Sequence, residues 1–433
     1  MTRISAIALL AVASAAAETV VLKNFTLIDG NGGPPTGGAA MVVVDGRIQN
    51  VGTAARVKAP AGAQVIDLTG KYVMPGIVNS HGHVGNVVDL TQDSKFFTRD
   101  NIEKNLKMYA SYGVTTVACM GTDQDLIYQV RDEQRRGRPT MARVYTAGRG
   151  FVYRGGAGAM PGVTYFVESA ADVAKDIDEL AAKKPDYVKM WVDDSLGHGK
   201  KMPLELSKAI IDNARKHGLR VFAHVFYLED AKQLSDAGLS ALMHSVRDAP
   251  VDNALIQSMK AHHVWQAAAT FTREESVFVY AKTPPFVDDP FFTRGVSEKV
   301  IATIKDPAYQ KRFASNPDTF KYEGYLETAK KNLKRLADAG IPYAMGTDTG
   351  PPGRFPGFFE HWEMELMVDA GLTPSQVIAA STRRGAEFLG AKDLGTLEKG
   401  KWADLIVLDR NPVENIRNTR SIRDVYIAGR RVN

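Results

Sequence analysis

The 433-residue chain has one cysteine, Cys119. A single thiol cannot close an internal disulfide, so the fold depends on its core. Cys119 lies in the apolar "TTVACM" and is expected to be buried there. Beyond the N-terminus no apolar run reaches the roughly 18 residues a spanning helix needs, so no membrane partner is expected for the mature chain. Like-charge blocks are also missing. Lys and Arg number 54 against 49 Asp and Glu, a net charge of +5, but they are scattered. Scattered charge makes solvated faces, not the basic footprint of a nucleic-acid binder. There is no short repeat and no low-complexity tract. What is present is 44% hydrophobic and 24% charged residues, an ordinary globular balance over a length that allows a large core.

Residues 1–17, "MTRISAIALLAVASAAA", read as a short secretory signal. Arg3 supplies the basic start, an apolar stretch runs through Val12, and Ala15, Ala16 and Ala17 form the cleavage site. The expected location is periplasmic or secreted.

From about residue 76 to 350 one alternation repeats, within a domain expected to span 76–394. Eight apolar runs read as strands: 77–79, 115–120, 143–147, 187–192, 220–225, 241–246, 264–270 and 343–347. Most are rich in Val, Ile and Ala without polar alternation, as strands buried on both faces should be. Helical patterns lie between them, and Gly113, Gly218, Gly238 and Gly340 stand where a helix C-cap needs positive φ. Eight such units predict an α/β fold, a (β/α)8 TIM barrel. The flanks, 18–75 and 395–433, hold short alternating strands with hairpin signals such as "VDGRI" and "IAGRR". They are expected to pair into one small β-sandwich made from both chain ends. The connection from Phe271 to Pro342 is too long for a plain loop. It reads as a lid or pocket wall, in which Phe278, Tyr280, Phe286, Phe291 and Phe292 need burial.

Ionisable residues recur at the strand ends. His81 and His83 follow the first run. Lys189 is in "DYVKMWV", His224 in "VFAHV", His244 in "LMHSV" and Asp348 in "AMGTDTG". Burying one such group alone is costly, so each must be paired or liganded. A barrel gathers its C-terminal strand ends at one mouth, so six distant residues can meet. In an extended chain residues i and i+2 point the same way, and His81 and His83 can grip one ion together.

The chain resembles the amidohydrolase superfamily, in its imidazolonepropionase-like and prolidase-like branch. The resemblance rests on "VMPGIVNSHGH", on the His, His, Asp order of runs five, six and eight, and on the closing "GTLEKGKWADLIVLD". It implies that His81, His83 and Asp348 bind one metal and that His224 and His244 bind a second. It further implies that Lys189, carboxylated, bridges both. A lysine ammonium has no lone pair, whereas its carbamate is an anion with two oxygens that can span two metals. The other reading of Lys189 is an unmodified amine paired to a carboxylate such as Asp193. Two divalent ions are expected, zinc first, with manganese, cobalt or iron also suiting nitrogen and oxygen ligands.

The implied activity is hydrolysis of an amide C–N bond in a small molecule, such as an N-acyl amino acid or dipeptide-like substrate. A hydroxide shared by the metals attacks, and Asp348 moves the proton. Lys189 points to two metals, which favours dipeptidase-like relatives over deaminases and true imidazolonepropionases. An ester, lactone or phosphotriester hydrolase is the alternative, and a non-catalytic binding barrel the alternative of another kind. Tyr227, three residues after His224, is a candidate oxyanion donor or a pocket-wall aromatic. Arg247 is a candidate for a substrate carboxylate, or else pairs near Asp248. His198 could touch substrate; His217, His262, His263 and His361 are set aside. Arg384 stands where many relatives carry an asparagine in "T-x-N-x-A", so a local hydrogen bond must be replaced. A homo-oligomer is left open.

Overall fold

The computed structural model describes residues 18–433; the expected signal, 1–17, lies outside the described residues. The N-terminal flank forms β1 (Thr19–Leu27), β2 (Thr36–Val44), β3 (Arg47–Thr53), β4 (Gln64–Asp67) and β5 (Tyr72–Pro75). The C-terminal flank forms β17 (Leu405–Leu408), β18 (Ile422–Ile427) and β19 (Arg430–Arg431). All eight join one sheet of order β19-β18-β17-β5-β1-β2-β3, with β4 beside β1. Antiparallel pairing of β5 with β17, Pro75 opposite Leu405, ties the two chain ends together. The β2–β3 hairpin turns at Asp45 and Gly46, φ 47° and 81°, the left-handed pair that a two-residue turn requires.

The middle of the chain supplies β6 (Ile77–Gly82), a short hairpin of β7 (Val87–Val88) and β8 (Thr91–Gln92), then β9 (Val114–Cys119) and β10 (Arg143–Thr146). It continues with β11 (Phe151–Tyr153), β12 (Tyr165–Val167), β13 (Val188–Val192), β14 (Val221–Val225), β15 (Ala241–Leu242) and β16 (Trp265–Gln266). They make two parallel sheets, β10-β9-β6 and β12-β11-β13-β14-β15-β16. The four expected C-cap glycines have φ of 78°, 70°, 85° and 79°. One apolar cluster draws on all eight expected runs, through Val78, Ala118, Ala147, Tyr187, Phe222, Ala241, Ala267 and Ala344. Cys119 is buried as expected. Among the described residues no helix is long and apolar enough to cross a membrane.

Three runs differ from expectation. Run 241–246 is extended only at β15, so His244 lies past the strand. Run 264–270 narrows to β16, and at its end Thr270 turns into the left-handed region at φ 57°. Run 343–347 is not a strand but a bridge of Tyr343 to Gln266. Its donors scatter: Ala344 N reaches Gln266 O, Met345 N reaches Ala380 O, and Thr347 N reaches His81 O. No single neighbour supplies a ladder. β11 and β12 were not expected from the sequence; they lie in the connection after β10.

The long connection contributes Arg273 to the wall of the cleft described below, but its aromatics do not take that role. It folds into the helices Phe271–Phe278, Pro290–Thr293, Glu298–Lys305, Pro307–Ala314 and Lys321–Asp338. Tyr280, Phe286 and Phe292 are buried with Tyr112, Phe358 and Phe359 in a core of their own. Phe278 and Phe291 are partly buried. The aromatics stabilise this helical insertion and do not line the cleft described below.

Candidate metal centre

β6 delivers His81, His83 follows directly after it, and the segment after Tyr343 delivers Asp348. Parallel pairing aligns β13 with β14, which sets Trp191 opposite His224 and Lys189 opposite Phe222. The ligand atoms of His81, His83 and Asp348 lie within 4.8 Å of one another. The imidazoles form a chain: ring centroids are 5.5 Å apart for His83 and His81, 4.9 Å for His81 and His244, and 4.0 Å for His244 and His224.

Hydrogen bonds fix which nitrogens are free. His81 Nδ1–H donates to the Met243 carbonyl at 3.1 Å. A carbonyl only accepts, so the lone pair is on Nε2. Thr270 Oγ1 donates to the Ala269 carbonyl, so it accepts from His244 Nδ1–H at 2.7 Å. His244 Nε2 is then a bare lone pair, buried, with no hydrogen-bond partner among the described residues. His224 Nε2–H donates to Asp193 Oδ2 at 2.7 Å, leaving Nδ1 as the donor atom for a ligand. His83 places Nε2 2.9 Å from Asp348 Oδ1 and Nδ1 2.8 Å from Thr122 Oγ1.

Burial lowers the affinity of all four imidazoles for protons, His81 and His244 strongly and His224 to about 4. Burial opposes charge on Asp348 too, but Arg354 and the imidazoles of His81 and His83 outweigh it and hold its carboxyl well below the usual range. Lys189 is fully buried. Burial brings its amine down to about 7, against the pull of Asp348. Its Nζ has no hydrogen-bond partner among the described residues and lies 3.8 Å from the Trp191 ring centroid. The expected alternative, pairing with Asp193, is not what the structure shows; Asp193 holds His224 instead. Neutral imidazoles, an anionic carboxylate and an unpartnered amine fit a divalent cation site of nitrogen and oxygen donors.

A buried network supports this set. Glu360 Oε1 accepts from Asn79 Nδ2, Thr347 Oγ1 and Thr349 Oγ1 at 2.7, 2.8 and 2.7 Å. Asn79 Oδ1 in turn accepts from the His81 amide. Asp348 has φ 58°, a left-handed conformation rare outside glycine and often found at functional sites. Arg354 Nη1 donates to the Asp348 carboxylate and to its backbone carbonyl.

The centre opens into a cleft of about 490 Å³ lined by His83, Trp191, Asp193, His224, Arg273, Asp348 and Arg354 among others. A larger cleft, about 710 Å³, lies on the terminal sheet beside Gln64 and Arg430; no histidine lines it. His81, His83 and Asp348 thus share one cluster that the rings of His244 and His224 extend, Lys189 is buried beside Trp191, and Tyr227 and Arg247 do not line the cleft. The Tyr227 hydroxyl donates to Asp194 at 2.7 Å. Arg247 is fully buried, with Nη1 donating to the carbonyls of Val225 and Ser245 and Nε 3.1 Å from Glu274 Oε2. Its partner is Glu274, not the Asp248 region. His198 is exposed and pairs with Asp318. Arg384, at the asparagine position, lies over the Tyr343 ring at 4.4 Å.

Sequence reasoning missed Asn79, Glu360, Arg273 and Arg354. Asn79 left a signal: it is polar, in an apolar strand, and two residues before His81. Arg354 is the one charge in "GPPGRFPG", the turn after Asp348. Arg273 sits in an amphipathic helix among other charges and left none, and Glu360 lies in a helix buried on nearly all sides, where it is one of several acids.

Comparison with known proteins agrees with this architecture. Residues 72–432 match the family model described as Amidohydrolase family. The chain is 27% identical over 380 residues to the imidazolonepropionase of Streptomyces griseus, covering 86% of this chain and 85% of the relative. It shares the fold of a Xaa-Pro dipeptidase solved with bound methionine, with TM-score 0.74, 19% identity, and coverage of 95% of this chain and 99% of that one. It also shares the fold of the A. niger ochratoxinase, with TM-score 0.73, 19% identity, and coverage of 96% and 95%.

Proposed function

The chain belongs to the amidohydrolase family, and we propose from that premise that it is a binuclear metal-dependent hydrolase of an amide C–N bond in a small molecule. The observation that carries the proposal is the convergence of four neutral imidazoles, Asp348 and the unpartnered Lys189 amine. The names of the relatives, an imidazolonepropionase, a Xaa-Pro dipeptidase and an ochratoxinase, support the C–N bond. We read the two parallel sheets as arcs of one (β/α)8 barrel and the terminal sheet as its companion β-sandwich. The cluster fed by all eight runs supports the closed form.

His81, His83 and Asp348 would hold one ion, His224 Nδ1 and His244 Nε2 the other, and Lys189 would bridge them. The bridge forms when the neutral Nζ adds to carbon dioxide and releases one proton, giving a carbamate with two oxygens. An amine held near neutrality by burial has the required lone pair. Zinc suits the donor set. When bound, the ions supply Lewis-acid polarisation of the scissile carbonyl and lower the pKa of the attacking water. Asp348, held as a carboxylate, accepts the proton of that water and delivers it to the departing nitrogen. Asp193 fixes the His224 tautomer, and the Glu360 network fixes the ends of β6 and of the Asp348 segment.

Elemental analysis tests the reading. Metal-replete protein should carry about two divalent ions per chain and hydrolyse members of a panel of N-acyl amino acids and dipeptides. Lys189→Ala should lose most activity and bound metal, and added short-chain carboxylates should restore part of the turnover. One ion or none in the wild type, or full activity in Lys189→Ala, refutes the bridged centre.

A further inference from the structure

Glu274 stands between two guanidinium groups. Its Oε2 is 3.1 Å from Arg247 Nε and accepts a hydrogen bond from Arg273 Nη1 at 2.8 Å. Arg247 is fully buried and Glu274 is 1% exposed. The carbonyls of Val225 and Ser245 satisfy Arg247 donors but carry no net charge. One carboxylate therefore serves two cations in a dry setting, where a cation needs a counter-charge.

The other carboxylates at the cleft are committed. Asp193 accepts from His224, and Asp348 is held by His83 and Arg354. Arg273 is the member of the pair that reaches solvent. Its side chain is 20% exposed and lines the same cleft as His83, His224 and Asp348. Arg354 also lines it, but its Nη1 already serves both the carboxylate and the carbonyl of Asp348. Trp191 and Met160 give the cleft an apolar stretch.

We infer that Arg273 is the specificity-determining residue for an anionic group, so that the amide hydrolysed carries a carboxylate, held by Arg273, and an apolar group that packs on Trp191 and Met160. The inference rests on the amide-hydrolase reading for the word "hydrolysed", but not for the recognition itself. A guanidinium offers paired N–H donors that match the two oxygens of a carboxylate. The charge left over by the Arg247–Glu274–Arg273 group is then balanced when substrate binds.

The test uses metal-loaded protein and matched ligands. Calorimetry compares 3-phenylpropanoate with the neutral 3-phenylpropanol, neither of which can be hydrolysed. kcat/KM is compared for N-acetyl-L-phenylalanine and its carboxamide. The wild type should prefer the carboxylate by about 10-fold or more in both measurements. Arg273→Met should bring both ratios close to one, and Arg273→Lys should keep part of the preference. A wild type that binds both ligands equally overturns the inference. So does a folded Arg273→Met whose preference is unchanged, since the carboxylate then binds elsewhere. Should Arg273→Met not fold, the wild-type ratio and Arg273→Lys decide. A wild type that binds with the expected preference but cleaves neither amide leaves Arg273 standing and removes the hydrolase reading.

Discussion

Asp348 shows how much can rest on one side chain. It is a proposed ligand, the proposed proton carrier, and the partner of Arg354. Asp348→Asn nearly conserves volume, but asparagine cannot accept the proton. The turnover number should fall by roughly 100-fold or more, the scale of general-base loss. KM should change little. Metal content must be measured on the same sample: lost turnover with both ions retained supports the proton role, and lost ions show only a ligand. Near-normal turnover with both ions bound would mean that another group moves the proton. Among single residues, the candidate ligands stood out because a charged or imidazole side chain inside an apolar run must be paired or liganded. Tyr227 and Arg247 were placed by spacing alone, three residues past a ligand. Spacing fixes distance along the chain but not direction, and neither lines the cleft; Tyr227 donates to Asp194 and Arg247 is held by Glu274 and two carbonyls.

At the scale of an element, the helix Phe358–Asp369 organises the back of the site. It gives Glu360 to Asn79, Thr347 and Thr349, and Glu363 to the amides of Phe271 and Thr272. It gives His361 to the Tyr112 carbonyl, with Nε2–H donating at 2.8 Å. Burial pulls the His361 pKa down to about 3, with Arg420 and Arg294 adding to the effect and the Tyr112 carbonyl opposing it. The folded value lies below the unfolded 6.5, so the unfolded chain takes up this proton first. Stability linked to His361 is fully present above pH 6.5 and is lost as pH falls from 6.5 toward 3. Between pH 7 and pH 5 its share of the loss is ~2 kcal/mol. Glutamine can keep a donor to Tyr112 without titrating. In His361→Gln the loss of unfolding free energy over that interval, measured by urea titration, should shrink by this amount. An unchanged loss would exclude His361 as a contributor. The helix itself was unreadable in this role, because its acids and imidazole are spread around it among apolar residues, and only the partner elements show that each is buried and paired.

For the whole molecule, the contact between the terminal sheet and the parallel sheets is held by a buried ion pair. Arg143, which opens β10, donates Nε to Asp404 Oδ2 at 2.7 Å and Nη2 to Asp404 Oδ1 at 3.2 Å. Asp404, just before β17, also accepts from the Ala428 amide. Trp402 adds its ring under Arg47 and Arg143, 3.6 and 5.0 Å from the guanidinium carbons. Removing one partner of such a pair leaves a buried charge alone, which costs about 3–5 kcal/mol. Asp404→Ala should therefore lower the urea midpoint sharply, while Asp404→Ala with Arg143→Met should recover a large part of the loss. A double variant no more stable than the single one would show that the sheet contact depends on something else. The closing "GTLEKGKWADLIVLD" thus carries a physical load as well as a likeness: its Trp402 and Asp404 join the chain ends to the rest.

The sequence by itself determined the alternation of apolar runs and helices, the glycine caps, and the six side chains offered as ligands. These are local matters of period, backbone freedom and the cost of burying charge. Only the tertiary structure decided where hydrogen-bonding groups go between distant segments. It turned the eighth run from a strand into a bridge, because its amides meet three different neighbours. It gathered the aromatics of 271–342 into a core of their own, because Phe358 and Phe359 were there to receive them. It buried Arg247 and brought Arg273 to the cleft. Both arginines compete for Glu274, and which of them faces solvent depends on how the helix Phe271–Phe278 packs, a relation between elements that no stretch of sequence contains.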